Sequence, residues 1–127
     1  MSIFRSAVSI GLVFHWATAC MAATPTVYNI RDYGAVIALK PDFAEAYNNR
    51  AIARARTGRR EEAARDWAKA IALRPDYAEA YYNRALLYFD MKEYTRSLAD
   101  VKKFQKFGGR PDPAFVKSLT EAVNRAK

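Results

Sequence analysis

Apolar residues recur along this chain with helical spacing, and the whole pattern returns at a fixed interval. The stretch from Ile37 to Ala51 reappears almost unchanged from Ile71 to Ala85, at a constant offset (71 − 37 = 34) that we call the period. A period of this length is typical of chains built from stacked helical units, each too small to bury its own apolar face. Such stacks usually present a surface, so the pattern predicts an all-α stack of helix hairpins that serves as a binding module.

Polar residues and glycine suggest where the helices begin and end. Asp42 and Asp76 each follow a proline and precede a glutamate by three residues, which is the spacing of a capping box. Helices are therefore expected to begin near Phe43 and Tyr77. Gly58 is expected to end the first of them.

These boundaries divide the chain into a leader and a repeat domain. Asp112 and Pro113 resemble an N-cap followed by proline at the first helical position, which opens a last helix. The predicted division is a leader over 1–23 and a domain over 24–127, the latter comprising a half-repeat (28–40), two repeats (43–75 and 77–110) and a capping helix (113–126).

The leader differs in composition from the rest of the chain. Arg5 carries its single positive charge, and residues 6–23 carry none. With small residues before two candidate cleavage points, this layout predicts a secretory signal peptide and a secreted or periplasmic protein. Three alternatives stay open: an uncleaved membrane anchor formed by residues 6–23, a lipoprotein anchored through Cys20, and an atypical first helix.

Candidate chemistry is sparse outside the leader. The chain has one cysteine and one histidine, Cys20 and His15, and both lie in the leader. Cleavage would leave no thiol, no imidazole and no Cys/His metal site. The chain also lacks a phosphate-binding loop, since Gly108-Gly109 has no following Lys-Ser/Thr. We therefore expect no catalytic residue, no metal, no cofactor and no enzymatic activity.

The spacing within each unit resembles the tetratricopeptide repeat over about residues 28–110. The residues that carry the resemblance are Tyr47-x2-Arg50-Ala51, Ala63-x3-Trp67 and Pro75, and in the second unit Tyr81-x2-Arg84-Ala85 and Ser97-x3-Val101. The resemblance implies a right-handed solenoid of antiparallel hairpins, with about two full repeats flanked by half-repeats. It also implies a concave groove, lined by the first helix of each repeat, that holds an extended peptide or a helix of a partner protein.

The groove positions of this family can be carried onto the chain as an expected partner-binding site. Amide groups would bond a peptide backbone, and apolar side chains would anchor it. The positions are Asn48, Asn49, Ile52, Arg56, Tyr82, Asn83, Leu86 and Lys117. One subgroup clamps the carboxylate tails of heat-shock chaperones, but Asn48 and Ile52 replace its first-repeat Lys and Asn, so such tails are not expected.

Arginine and aspartate recur with the same period. Arg50 and Arg84 stand where the family usually has leucine, and Asp32, Asp66 and Asp100 lie one in each second helix. Because a buried charge is costly without a partner, we expect these residues to form a structural ion-pair ladder between neighbouring helices.

The formal net charge of +8 supports a different function. One basic cluster surrounds the first turn, and a second, comprising Lys102, Lys103, Lys106 and Arg110, lies at the end of the second unit. Such clusters attract anionic membranes or acidic proteins. Nucleic acid is not expected, because the aromatic residues occupy packing positions. A further alternative is that the chain is a fragment of a longer repeat array.

Overall fold

A computed structural model describes residues 30–127, which form six α-helices with no strand among them. The helices are α1 (Ile30–Leu39), α2 (Ala44–Arg56), α3 (Arg60–Leu73), α4 (Ala78–Asp90), α5 (Tyr94–Lys106) and α6 (Pro113–Arg125). The predicted all-α stack of hairpins is confirmed. The predicted leader, residues 1–23, lies outside the described part of the chain.

Each hairpin closes on small side chains that let its two helices approach. α2 packs on α3 and α4 packs on α5, in the order of the sequence. In the first hairpin Ala51, Ala63 and Ala70 are fully buried around Trp67. Burying an aromatic side chain of this size stabilises the fold by about 1.5–3 kcal/mol.

The last helix extends the repeat pattern by one more unit. Leu119 of α6 is fully buried against Ala85 and Val101, with Phe115 packed beside them. Leu119 follows Ala85 by one period, and Phe115 follows Tyr81 by the same interval. α6 therefore occupies the place of a first helix of a further repeat, in the same register as α2 and α4.

The expected capping boxes do not form. Phe43 and Tyr77 are the N-cap residues of α2 and α4, and neither end has a side-chain cap hydrogen bond. The preceding Pro-Asp pairs lie inside tight turns, since the amide of Phe43 donates to the carbonyl of Lys40 at 3.2 Å and the amide of Tyr77 donates to that of Arg74 at 3.0 Å. Proline favours the second position of such a turn. The aspartate that follows it therefore occupies the third position and does not act as the helix cap.

The start of α6 follows the expected arrangement. The side chain of Asp112 accepts a hydrogen bond from the amide of Ala114 at 3.1 Å, and Pro113 is the first helical residue. A proline there loses no helical hydrogen bond, because the first amides of a helix have no partner within it.

Candidate functional site

The first helices of the successive hairpins lie side by side. Between α2 and α4, the Asn83 amide nitrogen donates to Asn48 Oδ1 at 3.4 Å. Between α4 and α6, the ring of Tyr82 meets that of Phe115 edge-on at 6.0 Å. These contacts join the three helices into one continuous surface, which is the surface that the sequence suggests for a partner.

Asn48 is not accessible on this surface. Its side chain is 1% exposed, and its Oδ1 accepts a hydrogen bond from Trp67 Nε1 at 2.9 Å. A buried indole N–H requires an acceptor, and Asn48 supplies it from the neighbouring helix. The expectation that Asn48 lines a partner-binding groove is therefore wrong, since its amide lies in the core.

Tyr82 packs against neighbouring helices. Its ring stacks on Phe104 with the centroids 4.5 Å apart and meets Phe115 edge-on, while its hydroxyl accepts a hydrogen bond from the amide of Asp112 at 3.3 Å. The ring and hydroxyl of Tyr82 thus contact both α5 and α6. Tyr82 is half-buried, so it attaches the last helix while part of it stays exposed for the anchoring role expected from sequence.

The other predicted groove residues keep some exposed surface. Asn49 and Asn83 are half-buried, Ile52 is half-buried against the core of the first hairpin, and Leu86 is 42% exposed. Arg56 and Lys117 are exposed.

One register of these residues runs across all three helices. Asn49, Asn83 and Lys117 follow one another at intervals of one period and occupy equivalent positions on α2, α4 and α6. We call these three residues, two asparagines and one lysine, the amide row. Leu86 lies on α4 three residues beyond its central member, so an apolar side chain stands close to the polar row.

Arginine–aspartate pairs join the two helices of each hairpin. Arg50 Nε and Nη2 donate to Asp66 at 2.9 and 2.8 Å, and Arg84 donates to Asp100 in the same two-bond geometry at 2.7 and 2.8 Å. Both carboxylates are nearly buried. Asp32, in contrast, lies exposed on α1, and no arginine among residues 30–127 pairs with it.

These pairs hold both guanidinium groups in the charged form. The hydrogen bonds that Arg50 donates to Asp66 raise the pKa of Arg50 above its ordinary value. Burial lowers the pKa of Arg84, but the hydrogen bond and charge of Asp100 outweigh that effect and leave a net increase. Neither arginine is available for proton transfer, and both pairs have a structural role.

Arg54 is a member of this network that sequence reasoning did not assign. Its Nη1 lies 2.8 Å from Asp66 Oδ2 and its Nη2 lies 3.5 Å from Glu62. The equivalent residue of the second hairpin is Tyr88, whose ring lies 5.6 Å from the Arg84 guanidinium. The helical spacing of Arg50 and Arg54, one turn apart and facing the same aspartate, was the available signal.

The two basic clusters differ in their pairing. In the first cluster Arg54 is paired as described, Arg59 pairs with Glu62 at 3.4 Å, and Arg60 pairs with Asp90 at 2.7 Å. The second cluster consists of exposed side chains outside every salt bridge of residues 30–127: Lys102, Lys103, Lys106 and Arg110. We call these four residues the basic end.

Two open clefts flank α6. One, of about 550 Å³, borders the basic end and is lined by Gln105, Gly109, Arg110, Pro111, Pro113, Val116 and Lys117. The other, of about 460 Å³, lies between α6 and the α4–α5 turn and is lined by Phe89, Tyr94, Ser118, Glu121, Ala122, Arg125 and Ala126. Neither contains a histidine or cysteine, and no group of three or more metal-ligating side chains converges anywhere in residues 30–127.

Within residues 30–127, none of the helices combines the length and the apolar character that a membrane span requires.

The fold and its period define a helical repeat protein, and comparison with known proteins agrees. A family model described as TPR repeat matches residues 53–92. No curated protein matches the sequence. The helices, their constant period and the structural matches below show that the chain has a tetratricopeptide-repeat fold.

Several solved structures share the fold. The TPR domain of Sgt2 from Aspergillus fumigatus is 26% identical, with a TM-score of 0.67 over 86% of this chain and 73% of that one. The TPR2B domain of yeast Sti1, in a complex with pHsp70, is 24% identical, with a TM-score of 0.66 over 77% and 82%. The first TPR of Spaghetti (RPAP3), bound to the HSP90 peptide SRMEEVD, is 21% identical, with a TM-score of 0.67 over 76% of each chain.

Proposed function

We propose that this protein-interaction module works as an adaptor that binds a peptide or helix of a partner protein across α2, α4 and α6. The amide row carries the proposal: Asn49, Asn83 and Lys117 lie in one register on three adjacent helices and keep exposed surface. Side-chain amides both donate and accept hydrogen bonds, so they suit a peptide backbone of any sequence. One of the similar structures holds an HSP90 peptide and another is a complex with pHsp70, which supports this kind of ligand for the fold.

The accessible side chains define what the partner segment should offer. Leu86, 42% exposed, provides an apolar anchor beside the row. Lys117 provides a cation at one end of the row. A segment with one apolar side chain, a free backbone edge and an acidic group toward α6 would satisfy all three. Since Asn48 is buried and Ile52 is apolar, a chaperone tail clamped by a lysine and an asparagine of the first repeat is not expected.

Capture of partners by the full chain at low and high salt tests this proposal. Groove binding through amide and apolar contacts should persist at high salt, because salt screens mainly exposed charges. Leu86→Ser and Asn49→Ala should each remove the captured partner, while Ala72→Ser, which alters an exposed apolar residue of α3, should not. Circular dichroism would first confirm that all variants fold. A partner retained equally by wild type and Leu86→Ser would refute the groove as the binding surface.

A second candidate function uses the basic end. None of its four cations forms a salt bridge within residues 30–127, and Arg110 lines the larger cleft, an arrangement that suits an acidic protein or an anionic membrane. Binding of this kind should collapse with added salt. Reversal of two charges, Lys102→Glu with Lys106→Glu, should abolish it and leave the response to Leu86→Ser unchanged.

We further propose that residues 1–23 direct export, so that the repeat domain acts outside the cytoplasm or on a membrane surface. The charged start, the uncharged stretch and the small residues before two cleavage points support this. The amino-terminal sequence of the protein purified from its source distinguishes the outcomes. A new terminus after Ala19 or Ala22 supports cleavage; an intact Met1 in a soluble cytoplasmic fraction contradicts export.

A further inference from the structure

Side chains of α1 are exposed at repeat positions whose equivalents in and directly after α3 and α5 are packed against the preceding helix. Its residues align, at intervals of one period, with those of the two later second helices. Val36 is 36% exposed, whereas its equivalent Ala70 is fully buried. Leu39 is 87% exposed, whereas its equivalent Phe107 stacks on Tyr81 of the preceding helix at 5.7 Å. α1 thus presents the face that would contact the first helix of its own hairpin.

The same face carries a carboxylate in the position of an ion pair. Asp32 aligns with Asp66 and Asp100, and each of those accepts two hydrogen bonds from an arginine on the helix before it. Asp32 is exposed and lacks such an arginine within the described residues. We define the α1 face as Asp32, Val36 and Leu39. It therefore combines two apolar side chains with a carboxylate whose equivalents, Asp66 and Asp100, both pair with arginine.

We propose that the α1 face docks an amphipathic helix of a partner protein that bears an arginine opposite Asp32. This interaction is separate from the groove and does not depend on it. The helix should have an aromatic residue, an arginine three positions later and an alanine after that. This is the pattern of Tyr47, Arg50 and Ala51, which recurs as Tyr81, Arg84 and Ala85. Charge complementarity at Asp32 and the exposed Val36 and Leu39 favour this occupant.

Two other occupants lack the required arginine. In a second copy of the chain, α6 is the first-type helix at the open end, and Ser118 stands in the arginine register, one period after Arg84. In the amino-terminal part of this chain, Trp16 stands one period before Arg50. Neither provides a guanidinium for Asp32, so a helix from another protein fits the face better.

A peptide of residues 78–90 provides a defined probe. It contains the proposed pattern, and with Asn83→Lys in the peptide a side-chain lactam between Glu79 and that lysine would hold it helical on the side away from Arg84. Fluorescence anisotropy of the labelled peptide with the full chain should give saturable binding. Arg84→Ala in the peptide and Asp32→Asn in the chain should each weaken it about tenfold, as expected for a charge-assisted hydrogen bond. The two changes together should cost no more than either alone.

Matched variants separate the α1 face from other surfaces. Leu39→Ser should also weaken binding, whereas Glu61→Gln, the same loss of charge on the exposed start of α3, should not. Asp32→Arg combined with an Arg84→Asp peptide should restore binding that either change alone removes. Absence of saturable binding, equal binding of the Arg84→Ala peptide, or loss of binding with the groove variant Leu86→Ser would overturn the proposal. Asp32 and Leu39 are exposed, so these variants should fold, which circular dichroism would verify.

Discussion

Asp66 and Asp100 occupy equivalent positions but accept hydrogen bonds from different numbers of arginines. Asp66 accepts hydrogen bonds from Arg50 and Arg54, whereas Asp100 accepts them from Arg84 alone. Two cations thus depend on one nearly buried carboxylate in the first hairpin. The second hairpin replaces one of them with a tyrosine ring.

Neutralising the two aspartates should therefore have unequal effects. Asp100→Asn leaves one partly buried guanidinium without its counter-ion, which typically costs about 3–5 kcal/mol. Asp66→Asn leaves two, so its cost should be greater. Urea denaturation followed by circular dichroism measures both free energies of unfolding. Equal losses would mean that Glu62 and water stabilise the charge of Arg54 well enough without Asp66.

Tyr77 gives the stability a dependence on alkaline pH. Burial, followed by the charge of Glu79, raises the pKa of Tyr77 above its ordinary value of 10.0. The folded state therefore binds this proton more tightly than the unfolded state does. Its contribution is complete below about pH 10 and is lost as the pH rises through the folded-state pKa.

The free energy of unfolding should accordingly fall above pH 10, and it should fall less steeply in Tyr77→Phe. Urea titrations at pH 8, 10 and 11 for both proteins would measure the difference, with the lysines titrating equally in each. Parallel curves for the two proteins would show that the Tyr77 proton is not linked to folding.

Residue roles were predictable from sequence only where the period itself carried the information. The bonds of Arg50 with Asp66 and of Arg84 with Asp100 connect residues that recur together, one period apart. The burial of Asn48 was not predictable in this way, because it depends on the indole of Trp67 reaching it from another helix. The contacts of Tyr82 with Phe104 and Phe115 were likewise not predictable, because they depend on how α5 and α6 pack against it.

At the scale of helices and turns, the two hairpins form the same interhelical turn with different residues at its left-handed position. Gly58 and Lys92 occupy equivalent positions one period apart, with φ of 82° and 61°. The amides of the following residues, Arg59 and Glu93, close both turns in the same way, each donating to the carbonyl five residues earlier at 2.8 Å. A left-handed backbone suits glycine and strains lysine.

Lys92→Gly should therefore stabilise the protein by about 1 kcal/mol, since a side chain in the left-handed region costs about 1–2 kcal/mol and glycine adds some unfolded-state entropy. Gly58→Ala should destabilise by a similar amount and serves as the reciprocal control. Thermal and urea unfolding would measure both. A neutral Lys92→Gly would indicate that this turn relaxes without strain.

Gly109 permits a close approach between the end of α5 and its own following loop. A Cβ at this position would clash with the ring of Phe104, which is the ring stacked on Tyr82. The absence of a side chain at Gly109 therefore supports the contact that attaches α6.

Gly109→Ala should displace Phe104 and destabilise the protein by about 1–3 kcal/mol, as overpacking does. Gly34→Ala is the matched control: nothing lies within 4 Å of a Cβ there, and the residue is inside α1. It should stabilise by about 0.5–1 kcal/mol through helix propensity alone. The change in tyrosine fluorescence on unfolding would report both, and destabilisation of the same size in both variants would contradict the packing argument.

Helix positions were accurately predicted because periodicity and turn residues agree. α2 and α4 begin at Ala44 and Ala78, one residue from the expected starts. The capping boxes failed because Pro-Asp is equally suited to a tight turn, and the turn prevailed. The place of α6 in the period was also available in the sequence, through Phe115 and Leu119, and the groove position expected at Lys117 depends on it.

Over the whole molecule, the repeat made the architecture predictable and left the function general. Contacts join mainly neighbouring helices, so the period alone determines which surfaces meet. The identity of a partner depends on a few exposed side chains with no period to reveal them. The site proposed here accordingly rests on exposure and register, which required the structure.

The lack of a buried residue in α1 gives the molecule a direction of unfolding. In a one-dimensional stack, each unit is stabilised by its neighbours, and α1 has a described neighbour on one side only. Backbone amides of α1 should exchange with solvent deuterium first, while those around Ala51, Ala63 and Ala85 exchange last. The described stack would then open from α1, and a protease would cleave backbone there while the helices from α2 onward remain folded.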